Sequence, residues 1–190
     1  ISDGRFTMNS KAKKITITAM ICALAYVMVV FCRIHIVLFL EYEPKDAMIT
    51  LGGFIGGPIT ACLVSIIVSF IEMVTISEDG VLGLVMNILS TCAFACTASF
   101  IYKRKRKFSG AALGLLSGSI LMTAFMLLWN YLITPVYMGI PREAVAELLV
   151  PAFLPFNLIK AGANTGLTLL LYRPVIKAYS GYMQEQNMLR

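Results

Sequence analysis

The chain has 190 residues, 58% of them hydrophobic and 14% charged, with a mean hydropathy of +0.81 and a formal charge of +6. A soluble globular domain carries about 25% charged residues, so the composition excludes one and points to a chain that lives in lipid. Six crossings at about 20 residues each leave no room for a separate soluble domain, and the basic residues are placed by membrane topology rather than gathered for nucleic acid.

Residues 15–32 are uncharged and follow Lys11, Lys13 and Lys14, which fits an uncleaved first span better than a signal peptide. The apolar loop from His35 to Tyr42 comes next. Four further stretches carry no charge apart from Lys160: residues 47–71, 81–102, 108–137 and 148–172. A count of five conflicts with charge placement, because the basic amino-terminal segment and the run Lys103-Arg104-Lys105-Arg106-Lys107 both belong on the cytoplasmic side. The break Gly52-Gly53-Phe54-Ile55-Gly56-Gly57-Pro58 divides the second stretch in two.

The expectation is therefore an all-α membrane protein forming one domain over residues 1–190. Six helices cross near 14–34, 46–57, 58–76, 81–102, 109–134 and 151–173, with both termini cytoplasmic. This topology puts 12 of the 16 basic residues inside and leaves Arg33, Lys45, Arg142 and Lys160 outside. Acidic residues lean the other way, with only Asp3 and Glu185 inside. The second helix, with Asp46 as its N-cap, is too short to cross alone. The loop before it is expected to dip into the membrane as irregular backbone, which needs a cavity or protein beside it. A short helix under a dipping outer loop makes an outward-facing pocket.

Several chemistries lack their residues. There is no G-x-x-x-x-G-K-[S/T] phosphate loop, no G-x-S-x-G elbow, and His35 is the single histidine, so an enzyme is not expected and no cofactor or metal is called for. Cys22, Cys32, Cys62, Cys92 and Cys96 all lie in apolar stretches without a C-x-x-C pair and are expected to be free thiols packed as small hydrophobes.

Polar groups within spans are the informative ones, since a lysine at a helix centre is penalised by about 2.5–3.5 kcal/mol on insertion scales. Asn157, Lys160 and Asn164, at i, i+3 and i+7, share one face of the last helix, whose start is expected at the prolines 151 and 155. Asn130 and Thr134 stand one turn apart near the outer end of the fifth helix, beside Trp129, Tyr131 and Tyr137, which also suit an interfacial aromatic belt. Asn87 and Thr91 stand at i, i+4 on the fourth. Amides and a lysine among aromatic and aliphatic walls suit a flat, neutral ligand rich in hydrogen-bonding groups. No repeat or filter loop suggests an ion pore.

Six spans in about 190 residues, Leu51 to Pro58, the Trp129-Asn130-Tyr131 stretch with Pro135 and Tyr137, and above all Pro155-Phe156-Asn157-Leu158-Ile159-Lys160 resemble the riboflavin-specific substrate-binding subunit (S component) of energy-coupling factor (ECF) transporters. The resemblance covers nearly the whole chain. It implies a high-affinity riboflavin receptor in the bacterial cytoplasmic membrane, working with a transmembrane coupling subunit and two ATP-binding cassette ATPases. It transfers ligand contact to Asn130, Asn157 and Lys160, a lid to the first outer loop around Leu40 and Glu41, and coupling-subunit docking to Ala19 and Ala23 on the first helix. Asn164 and Asn87 are added as ligand contacts from their positions alone. The competing readings are an S component for thiamine, folate or biotin, and an intramembrane enzyme acting on a lipid, for which Glu72 alone supplies no acid and base pair.

Overall fold

A computed structural model describes residues 10–37, 40–77 and 79–188. The expectations for Asp3, Arg5, Leu38, Phe39, Glu78 and Arg190, and those resting on the side chains of Lys11, Lys13, Lys14, His35 and Glu185, lie outside the described residues.

The described residues form six rods, with glycine or proline at several of the breaks, among them Gly57-Pro58, Gly80 and Gly139. The first is α1 (Ser10–Cys32), followed by a hairpin of β1 (Ile34–Val37) and β2 (Leu40–Tyr42). Then come α2 (Lys45–Gly56) and α3 (Pro58–Thr75). The fourth rod is α4 (Gly80–Thr91) continued through a π turn (Cys92–Cys96) into α5 (Thr97–Arg104). The fifth is α6 (Phe108–Met138), and the sixth is α7 (Arg142–Leu148) continued through a second π turn (Leu149–Phe153) into α8 (Leu154–Met188). Five rods are long and apolar enough to cross a membrane. At 12 residues, α2 is about 18 Å long at 1.5 Å per residue, against about 30 Å of hydrocarbon.

The break between α2 and α3 follows from its residues. Gly57 sits at φ 93°, where a side chain would be strained, and Pro58 behind it occupies the first turn of α3, where a missing N–H is no loss. The rods turn apolar side chains outward, among them Phe31, Ile59, Phe70, Ile120 and Leu170, and bury Lys45, Asp46, Thr50, Ser65, Glu72, Asn130, Asn157 and Asn164. That inversion of the soluble pattern is what lipid demands, since polar groups within the bilayer must face protein.

Small residues let the rods close up. Gly110, Gly114 and Gly118 form a stripe at i, i+4 and i+8 on α6. A Cβ at Gly114 would stand 2.6 Å from the Ala98 carbonyl oxygen, and one at Gly118 2.5 Å from that of Phe94. Backbone therefore meets backbone there, as in small-xxx-small membrane contacts. At the same end as the basic run, Phe54, Tyr102, Tyr172 and Phe108 stack edge to face or tilted, and the Tyr102 and Tyr172 hydroxyls lie 3.1 Å apart.

Several local expectations are corrected. The loop after α1 is not irregular: Ile34 pairs with Tyr42 in an antiparallel hairpin, with the register shifting between His35 and Val37. Asp46 is not an N-cap. Pro44 holds that position, and Asp46 lies in the first turn with its carboxylate buried. The last rod starts at Arg142 rather than at Pro151, which lies in the π turn. α1 starts earlier than expected, and α6 and α8 run past residues 134 and 173, carrying Pro135 and Pro174 within them.

Candidate functional site

Beneath the hairpin, α4, α6 and α8 stand apart and leave two adjoining recesses. One, of about 20 Å³, is lined by Leu40, Glu41, Glu43, Asp79, Met86, Asn87, Ser90, Met126, Phe156, Asn157 and Lys160. The other, also of about 20 Å³, is lined by Asp79, Leu82, Gly83, Met86, Trp129, Ile133, Thr134 and Tyr137. Asp79 and Met86 line both, so the two are neighbouring lobes, one polar and one apolar. Leu40 roofs the polar lobe, packing with Val145, Phe153 and Phe156 in one apolar cluster.

The charge in the polar lobe comes from α8. Lys160 is 6% exposed and lies 4.0 Å from Asp46 Oδ2. At that distance the carboxylate neutralises the ammonium without spending its N–H groups, since a hydrogen bond needs about 3 Å. Asp46 is itself held by the Thr91 hydroxyl, which donates to Oδ1 at 2.7 Å, and by Asn164 Nδ2, which donates to Oδ2 at 3.3 Å. One buried carboxylate thus ties α2, α4 and α8 together. One turn before Lys160, Asn157 Nδ2 donates to Phe153 O at 2.8 Å, which leaves the amide oxygen as an acceptor at the wall.

A second ionic network anchors the hairpin. Arg33 pairs with Glu41 and lies 3.7 Å from Glu43, and its guanidinium donates to Ile76 O at 3.1 Å, at the end of α3. Lys45 lies between Glu43, at 2.7 Å, and Glu72 of α3. Burial opposes charge on Glu43, but the Lys45 ammonium outweighs it and holds that carboxyl down at about 2. Glu41 therefore reaches the recess as part of a clamped strand.

The residues expected from sequence divide by position. Leu40, Glu41, Asn87, Asn157 and Lys160 come together around the polar lobe. Asn130 lies outside the lining of both lobes, fully buried, its Nδ2 donating to Met126 O at 2.8 Å and its Oδ1 accepting from Thr134 at 3.0 Å. Asn164 also lies behind the wall, bonded to Asp46 and accepting from the Tyr42 hydroxyl at 3.4 Å. Trp129 and Tyr137 line the apolar lobe, and the Tyr137 hydroxyl donates to Asp79 at 2.6 Å. Ala19 and Ala23 line neither lobe. They lie exposed on an apolar groove of about 660 Å³ between α1 and α3, with Ile15, Tyr26, Leu63 and Ile67.

Sequence reasoning missed Asp46, Glu43, Asp79 and Ser90 as parts of the site. The available signal was acidic: Glu43 and Asp46 flank Lys45 at the start of a helix too short to cross, a place where carboxylates can reach inward.

The model of the "ECF transporter, substrate-specific component" family matches residues 13–172. The chain is 29% identical over 181 residues to the riboflavin transporter RibU of Staphylococcus aureus (strain TCH60), covering 90% of this chain and 95% of that protein. It is 27% identical over 175 residues to the riboflavin transporter FmnP of Bacillus subtilis (strain 168), covering 85% and 91%. Its fold matches the solved S component of a bacterial ECF transporter with a TM-score of 0.76 at 25% identity, covering 90% of this chain and 99% of that one. These relatives are transporters rather than enzymes, and with a family match spanning most of its length the chain belongs to the substrate-specific components of ECF transporters.

Proposed function

We propose that this chain is the riboflavin receptor of an ATP-driven uptake system in the bacterial cytoplasmic membrane. The observation that carries the reading is Lys160: an ammonium buried at the wall of a recess, neutralised by Asp46 at 4.0 Å, with its hydrogens left to a ligand. Beside it, Asn157 offers an amide oxygen. A donor and an acceptor one helical turn apart complement the pyrimidinedione edge of a flavin, which presents carbonyl oxygens on either side of an N–H. Met86, Trp129 and Ile133 supply apolar walls for fused rings in the adjoining lobe. Glu41 and Asn87 add polar contacts for a hydroxylated side chain, with Leu40 as the lid. Asn130 joins by exchanging its bond to Met126 O for one to the ligand, and Asn164 serves the ligand through Asp46.

Two named relatives are riboflavin transporters, which supports the same ligand. The bilayer, a transmembrane coupling subunit and two ATP-binding cassette ATPases complete the working assembly. Ala19 and Ala23 form the docking face, since small residues on α1 let a partner helix approach closely. The test is a titration of detergent-purified protein with riboflavin, followed by quenching of flavin fluorescence. Saturable quenching and a yellow protein are expected. A folded protein that quenches no flavin but binds thiamine, folate or biotin overturns the ligand, and one that binds none of them overturns the receptor.

A further inference from the structure

The π turn in the fourth rod does something the sequence spacing hides. Cys92 and Cys96 open and close that turn, and Cys62, thirty residues earlier, stands opposite them in the first turns of α3. The three sulfurs all lie within 4.8 Å of one another. Cys62 Sγ and Cys92 Sγ are 3.9 Å apart, and Cys96 Sγ is 3.5 Å from Pro58 O. None is fully enclosed. The Ser65 hydroxyl, one turn along α3 from Cys62, is buried beside Cys92.

We infer that Cys62, Cys92 and Cys96 form a binding site for one soft monovalent metal ion of the Cu(I) type. Geometry is the first argument. In a trigonal site with metal–sulfur bonds of about 2.3 Å, the sulfurs stand about 4.0 Å apart, so a trio lying within 4.8 Å needs to close by no more than about 0.8 Å on its widest edge. Softness is the second: a set of sulfur donors without imidazole or carboxylate selects thiophilic ions over the hard cations more abundant in solution. The proton balance follows from the donors: the ligand form is the thiolate, so each thiol that binds the ion releases its proton. The π turn supplies the position, since its wider winding brings both of its terminal sulfurs toward α3, and such turns cluster at functional sites.

The test uses the whole protein in detergent under reducing conditions, titrated with a coloured Cu(I)–bicinchoninate complex. Wild type is expected to withdraw one ion per chain, and Cys22→Ser and Cys32→Ser to do the same. Cys62→Ser, Cys92→Ser and Cys96→Ser should each weaken uptake by at least about tenfold, the lower end of what loss of even an outer-shell partner does to a metal site. No uptake by wild type, or uptake unchanged in Cys62→Ser and Cys92→Ser, overturns the site. Should those variants fold poorly, maleimide labelling of wild type decides. Cu(I) is expected to protect Cys62, Cys92 and Cys96 while Cys32 stays reactive, and equal labelling with and without the ion overturns the proposal. Flavin binding plays no part in either readout, so this site stands or falls apart from the receptor reading.

Discussion

The single residue on which most depends is Lys160, and its surroundings explain why a cation is kept where lipid opposes it. Asp46 balances its charge across 4.0 Å while Thr91 and Asn164 occupy the carboxylate oxygens. Removing the ammonium in Lys160→Ala, or the amide in Asn157→Ala, is expected to lower riboflavin affinity at least about tenfold, or about 1.4 kcal/mol; Lys160→Ala should also lower the melting temperature in detergent, since it leaves the buried Asp46 carboxylate without its counter-charge. Unaltered affinity in both variants would remove them from the ligand. Asp46 should act through Lys160 rather than on the ligand. Asp46→Asn keeps one of the two accepting oxygens and deletes the charge, leaving a buried ammonium unpaired, and is expected to weaken binding as well. A double-mutant cycle decides the route, since in a Lys160→Met background the same change should have little further effect on affinity. Two additive effects would show that Asp46 serves binding by some other path.

Among the elements, α6 and the π-containing rod beside it illustrate how backbone proximity sets stability. A Cβ at Gly114 would stand 2.6 Å from a carbonyl oxygen that cannot move aside like a flexible side chain, whereas nothing lies within 4 Å of one at Gly162 on α8. Gly114→Ala is therefore expected to destabilise by about 1–3 kcal/mol, the usual range for overpacking. Gly162→Ala should be neutral or stabilise by up to about 1 kcal/mol through helix propensity. Thermal unfolding of both variants in one detergent checks the contrast, and equal melting temperatures would argue against close packing on α6. The glycine stripe was visible in the sequence, but what it faces was not, because spacing identifies a smooth helix face and not its neighbour. The hairpin was legible only as an apolar loop. Residues such as Ile36 and Leu40 suit a strand and a membrane-dipping coil alike, and the pairing that separates them is a tertiary outcome. The short α2 and its break were predictable because Gly57 and Pro58 act locally, whereas Asp46 was misplaced because a helix-capping carboxylate and a buried one occupy the same sequence position.

At the scale of the whole molecule, charge and hydropathy carried most of the information. The basic run, the Gly57 turn and the Tyr102 and Tyr172 cluster meet at one end of the bundle, and the hairpin and the two recesses lie at the other. If residues 103–107 face the cytoplasm, the recesses open outward, as capture of an external vitamin requires. A single cysteine at position 105, in a chain freed of its native cysteines, should resist an impermeant maleimide in intact cells and react after lysis, and labelling in intact cells would reverse the orientation. The groove between α1 and α3 then lies along the flank of the bundle and shares no lining residue with the recesses. Replacing Ala19 and Ala23 with leucine would fill the space into which a partner helix fits, without touching Lys160 or Asn157. The expected result is a protein that binds flavin with unchanged affinity, fails to copurify with its coupling subunit and no longer supports uptake. If uptake persists in the double variant, docking uses another face. Loss of flavin binding as well would mean that groove and recess are linked through α2, whose Gly52 lies against Ile21 of α1.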